Sequence, residues 1–166
     1  MILLRNLFGL ISRKIGNTTD FWGKENESTI LGFSSASYQH IHNPAKVYPT
    51  LANGIIVAGG VGAWTLGNFV EVIPANTITT DFDIHWVHIE SVSATDIYEL
   101  VLYSGLSENE VEIGRVRTSR ESAQSGATDV PIQIAPQHAN TRISAKLASK
   151  SGNNNMTISF YYHEYN

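Results

Sequence analysis

Residues 97–103 read IYELVLY: Ile97, Glu99, Val101 and Tyr103 take one parity, and Tyr98, Leu100 and Leu102 take the other. A period of two belongs to a β-strand, whose successive side chains point to opposite faces. Two later segments repeat it. In RISAKLA (142–148), Ile143, Ala145 and Leu147 oppose Arg142, Ser144 and Lys146, so this strand has one wet side. In MTISFYYHEY (156–165), Met156, Ile158, Phe160 and Tyr162 oppose Thr157, Ser159, Tyr161 and His163. VEIGRVR (111–117) breaks phase, because Val111 and Ile113 share a parity that Val116 does not; a bulge at Gly114 would restore one apolar face.

Outward from these segments, short apolar runs alternate with turn chemistry from Pro49 to the C-terminus. Further strands are expected at Ile55–Ala58, Ala63–Leu66, Phe69–Ile73, Ile84–Val92, Val130–Ile134 and Thr141–Ala148, separated by AGGVG, LGN, PANT, SGLSEN, AQSGAT, APQHAN and SKSGNNN. No helical pattern is interleaved. The expected fold class is therefore all-β, a two-sheet antiparallel β-sandwich over residues 50–166, jelly-roll-like first and immunoglobulin-like second. IPANTIT (73–79) and IAPQHANTRIS (134–144) echo each other, and the shared feature is a turn whose Asn tolerates positive φ before a strand.

The first 49 residues differ in texture. Leu3, Leu7, Leu10 and Ile11 recur at intervals of three and four, with Phe8 widening the stripe, so residues 1–16 are expected to form an amphipathic helix. A helix this short is marginal alone in water and needs a surface to dock on. Residues 17–49 lack a sustained period and read as an extended arm, in which Phe21, Trp22 and Tyr38 are apolar contacts for a partner. The opening segment lacks the charge order of a secretory signal, because Arg13 and Lys14 follow its apolar run, and it is far short of the ~20 apolar residues that span a bilayer.

Composition narrows the function. The 166 residues are 42% hydrophobic and only 16% charged, with 11 basic against 15 acidic side chains and a net charge of −4. That balance and the lack of a Lys/Arg run disfavour nucleic acid as a partner. With no cysteine there is neither a disulfide framework nor thiolate chemistry.

FDIHWVHIES (82–91) poses the sharpest chemical question, with His85 and His88 three apart between Asp83 and Glu90. On a regular strand the two imidazoles project from opposite faces and cannot share an ion unless a bulge intervenes, and Trp86 packs between the sheets. His40 and His42 share a side if QHIHN is extended, but two ligands are too few for a metal site. His138 sits in a turn and His163 near the C-terminus. Glu108, Glu110 and Glu112 could attract a cation, although pairing with Arg115, Arg117 or Arg120 is the simpler reading. Nucleophile-elbow, P-loop and zinc-helix motifs are missing, and AGGVGAWTLG reads as a sheet corner rather than a dinucleotide loop. The expectation is therefore no enzyme, no catalytic or metal-ligating set and no cofactor. Trp64 beside the glycine-rich turn and Tyr161 in the Tyr-rich final strand are the candidate ligand platform.

The run VYPTLANG…AWTLGNFVEVIPANTIT…FDIHWVHIE…YELVLYSG…EVEIGRVR…VPIQI…ANTRISAKLAS…SFYYHEY, spanning Val47 to Tyr165, resembles small virion structural proteins of tailed bacteriophages. The resemblance implies a β-sandwich displayed in many copies on a virion, as a capsid decoration or cement protein, a head fibre or a tail-associated component. It implies a homo-oligomer, read as a trimer, and the major capsid protein or an adjacent virion protein as partner. Leu3, Leu7, Phe8, Leu10, Ile11, Phe21, Trp22 and Tyr38 would anchor it there. The alternative is a receptor- or carbohydrate-binding module of a tail or fibre that meets a host surface glycan.

Overall fold

The computed structural model describes residues 45–123 and 126–165, all within the compact unit Ile41–Asn166. The helix expected over 1–16 and nearly all of the arm expected over 17–49 lie outside the described residues. Among them are nine strands: β1 (Lys46–Tyr48), β2 (Ile55–Ala58), β3 (Val70–Ile73), β4 (Asp81–Val92), β5 (Asp96–Ser104), β6 (Val111–Arg120), β7 (Thr128–Pro131), β8 (Ile143–Ser149) and β9 (Asn155–Tyr165). They form two antiparallel sheets. One runs β1-β9-β4-β7 with β2 also on β9, and the other runs β3-β8-β5-β6.

The pairings nest. β5 pairs with β6, β4 with β7, β3 with β8 and β2 with β9, all antiparallel, so the chain is one long ribbon folded back at the β5–β6 turn. Successive rungs of that ribbon fall in alternate sheets, and the β4–β9 and β5–β8 pairings then knit each sheet together. Winding the ribbon this way turns the apolar face of every rung inward. β1 lies inside the stretch read as arm, and it continues the edge begun by β2, facing Tyr162 to Phe160 while β2 faces Ile158 to Asn155.

The alternation of the sequence becomes the core. Tyr98, Leu100 and Leu102 of β5, Ile143, Ala145 and Leu147 of β8, and Met156, Ile158 and Phe160 of β9 are all at most 1% exposed. Each large apolar side chain so buried contributes about 1.5–3 kcal/mol relative to exposure. The bulge expected at Gly114 is present: Leu102 faces Gly114 and Tyr103 faces Glu112, leaving Ile113 extra. Ile113 and Val116 then both pack on the core, while Val111 stays 65% exposed at the strand entry. The two echoed turns carry Asn76 and Asn140, each at φ 64°, and they meet where the Asn76 amide donates to the Asn140 carbonyl.

Two expectations require correction. Ala63–Leu66 is a turn rather than a strand: Trp64 sits at φ 55°, and the amides of Trp64 and Gly67 donate to the carbonyls of Ser149 and Leu147. At Gly67 a Cβ would lie 2.1 Å from the Ala58 carbonyl oxygen, so only glycine permits this approach of loop to strand. The second correction concerns FDIHWVHIES. β4 carries two register shifts against β9, between Ile84 and Trp86 and between Ile89 and Ser91, so its facing reverses twice. The core-facing set becomes Phe82, Ile84, Val87, Ile89 and Val92. Trp86 does not lie between the sheets; it is 38% exposed on the outer face. The extra residue at the first shift is His85, which is why His85 and His88 share that outer face instead of pointing apart.

Candidate functional site

The outer face of the β4–β9 pair gathers groups from strands far apart in sequence. Asp83 and His163 are direct cross-strand partners, and the bulge brings His85 beside them. His85 Nε2 lies 2.9 Å from Asp83 Oδ2, and His163 Nδ1 lies 3.8 Å from Asp83 Oδ1. The two imidazole rings are 4.3 Å apart at 59°. The Tyr165 hydroxyl donates to Asp83 Oδ2. Burial, followed by the Asp83 carboxylate that holds this proton, raises the pKa of that phenol. Asp83 Oδ1 is buried and accepts no hydrogen bond. One donor atom from each of Asp83, His85 and His163 falls within 4.8 Å of the others, so the three could hold a metal ion.

The row continues along the same face. The His85 ring lies 5.4 Å from Trp86, and Trp86 and His88 each approach Tyr161 edge-on, at 6.5 and 5.8 Å. His88 is buried and engages different acids, Asp129 Oδ1 at 2.6 Å from Nδ1 and Glu90 Oε2 at 3.5 Å from Nε2. The two histidines of FDIHWVHIES therefore share a face but not a site. Tyr161, a candidate for the ligand platform, is half-buried and meets Trp86 and His88 edge-on.

The outer face of the β5–β6 pair is dressed differently. Glu99 receives Arg115 at 2.5 Å and Arg117 at 2.5 Å, and Arg115 also reaches Glu112 at 2.9 Å. The Arg117 hydrogen bond, then the positive charges of both arginines, lowers the Glu99 pKa. Arg117 also covers the Trp64 ring, its guanidinium carbon 4.5 Å from the centroid, and Lys146 stands 3.9 Å over the ring of Phe69. Trp64 is exposed beside the glycine-rich loop, as a platform requires, but one of its faces is occupied by a cation.

Two of the three clustered acids, Glu110 and Glu112, take arginine partners. Glu112 takes Arg115, as the simpler reading has it, while Glu110 takes Arg142, which also holds Glu71 at 2.5 Å. His138 is exposed, 3.8 Å from Asp81. A cleft of about 660 Å³ opens along Thr95, Asp96, Ile97, Ser119, Arg120, Glu121 and Lys150. Its half-buried Asp96 is committed to the neighbouring turn, because it accepts from the Ser151 amide and hydroxyl, from Asn154 Nδ2 and from its own neighbour, the Ile97 amide. These bonds, the Ser151 hydroxyl foremost, lower the Asp96 pKa.

Leu3, Leu7, Phe8, Leu10, Ile11, Phe21, Trp22, Tyr38, His40 and His42 lie outside the described residues. The Asp83–His85–His163 group was not visible in the sequence. Its only signal was a pair of acid-and-histidine strands, and bringing them together requires the β4–β9 register and a bulge.

No protein-family model matches the sequence, and no curated protein sequence does. Among solved structures, similar chains include CsCBM6-3 from Clostridium stercorarium in complex with cellobiose, 14% identical with a TM-score of 0.39, the match covering 72% of this chain and 82% of that one. Another belongs to the structure of infectious bursal disease virus Gx strain, 11% identical with a TM-score of 0.34 over 72% of this chain. This match spans 31% of the viral chain's length.

Proposed function

We propose that this chain is a non-enzymatic structural component of a bacteriophage virion, a capsid decoration, cement or head-fibre protein. Its sandwich is a jelly roll that self-associates, as a trimer in this reading, and the N-terminal helix and arm that precede β1 hold it to the major capsid protein or a neighbouring virion protein. The observation that carries the reading is the nested ribbon β2–β9, β3–β8, β4–β7, β5–β6, distributed alternately over two sheets. That is the strand order of a jelly roll, the architecture of many viral capsid and lectin domains, and it matches the sandwich that the sequence resemblance implies. A fold does not assign a function alone. The charged groups add support, because Glu71, Glu99, Glu110 and Glu112 neutralise arginines of the same sheet and Asp96 closes a turn. Such groups stabilise a surface rather than turn over a substrate.

The test is to delete residues 1–45 and measure occupancy on assembled particles. Occupancy should collapse while the isolated sandwich stays folded; unchanged occupancy sinks the anchoring role. A second reading, a glycan-binding module, has one observation in its favour: Trp64 and Phe69 are 41% and 40% exposed. A glycan array with the wild-type chain and Trp64→Ala separates the two, since a decoration protein shows no Trp64-dependent binding.

A further inference from the structure

We propose that Asp83, His85 and His163 form a binding site for one divalent transition-metal ion of the zinc type. The site stands independently of where the protein works. Its donor set is two imidazoles and a carboxylate, each offering one atom within 4.8 Å of the other two. Zinc takes imidazole nitrogen and carboxylate oxygen at about 2.0–2.2 Å, which places tetrahedral ligands roughly 3.4 Å apart. His163 Nδ1 lies 3.8 Å from Asp83 Oδ1, close to that spacing, and His85 Nε2 stands 2.9 Å from Oδ2 of the same carboxylate.

Two features point to an ion rather than to a plain ion-pair cluster. Asp83 is 7% exposed and its Oδ1 accepts no hydrogen bond, a costly condition for a buried carboxylate oxygen that a cation would relieve. The Tyr165 hydroxyl grips the other oxygen of the same carboxylate, the outer contact that orients a metal-binding acid. The nitrogen content of the set selects zinc-type ions over calcium or magnesium, which prefer all-oxygen surroundings. Three protein ligands leave a fourth position for water or for a group from another molecule. Trp86 against His85 shields one side of the site.

The full chain, stripped with chelator, is titrated with Zn²⁺ by calorimetry at about pH 7.5, where competition from protons is small. One ion per chain should bind at micromolar affinity or tighter. Asp83→Asn and His163→Gln should each weaken binding by at least about tenfold. His88→Gln, on the same face but held by Asp129, should bind as wild type, and melting curves confirm that each variant is folded. A measurement needing no variant runs alongside: on adding Zn²⁺ the ring-proton resonances of two histidines, assigned to His85 and His163, should shift while those of His88 and His138 stay. The proposal is overturned by weaker than micromolar binding, by wild-type affinity in folded Asp83→Asn and His163→Gln, by equal loss in His88→Gln, or by shifts confined to other histidines.

Discussion

The outer faces of the two sheets are built on the same antiparallel geometry and dressed in opposite ways. On β5–β6 the arginines stay open to solvent, with side chains 45% and 59% exposed at Arg115 and Arg117, and they converge on a well-covered Glu99. On β4–β9 the polar groups themselves are covered: Asp83, His88 and His163 have side chains only 10% exposed. The first face is a solvated charge ladder whose members neutralise one another. The second keeps imidazoles and a carboxylate away from water, and only partners within reach can satisfy them. The difference teaches that strand order does not determine what a face is for; the bulges of β4 do, by choosing which residues leave the core.

The strongest way to break that claim is to set the core side chains before the bulge against the bulge residue itself. Phe82→Ala and Ile84→Ala remove side chains that are 0% and 1% exposed and should cost about 2–5 kcal/mol in urea unfolding. His85 is the extra residue, so deleting it leaves Ile84 opposite Tyr162 and Trp86 opposite Tyr161 with their facing unchanged. The deletion, like His85→Ala, should cost less than about 1 kcal/mol. A deletion loss as large as that of Ile84→Ala would mean that the extra residue, not the pairing around it, holds this edge.

The same bulge separates what was legible in the sequence from what was not. Alternation in 97–103, 142–148 and 156–163 identified core strands because both the spacing and the burial are local properties of a strand. Asn76 and Asn140 were legible for a similar reason, since positive φ in a turn is tolerated by few residue types. Gly114 announced its bulge by breaking the apolar parity of VEIGRVR. His85 announced nothing, because FDIHWVHIES has apolar residues on both parities and stays plausible in either phase. The Asp83–His163 pairing joins residues in strands that never adjoin in sequence, and only the register of β4 on β9 shows it. Trp64 misled for a different reason: AWTL is apolar enough for a strand, but its backbone bonds are taken by the end of β8.

On the charged face the expected effects are smaller and depend on pH. The Arg117 hydrogen bond first, then the positive charges of Arg115 and Arg117, outweigh the opposing effect of burial and hold the Glu99 carboxyl below the ordinary glutamate value of about 4.3. A depressed folded-state pKa means that the pairing stabilises the protein fully above that ordinary value and is lost as pH falls through the folded pKa. Wild-type melting temperature should therefore drop between about pH 5 and pH 3, and Glu99→Gln should remove part of that drop while costing about 1 kcal/mol at neutral pH. A Glu99→Gln curve parallel to wild type would show that other carboxylates, Asp96 among them, carry the acid sensitivity.

Glu112 sharpens the comparison at its weak end. It meets the same Arg115, but its side chain is 42% exposed and the arginine keeps Glu99 when Glu112 is gone. Exposed pairs of this kind are worth about 0.2–1 kcal/mol, so Glu112→Ala should move unfolding by no more than about 0.5 kcal/mol, and less still at high salt. If chemical denaturation gave Glu112→Ala a loss as large as Glu99→Gln, the four side chains would be acting as one network. The β5–β6 face would then hold its charges as interdependently as the β4–β9 face holds its histidines, and solvent exposure would no longer distinguish the two.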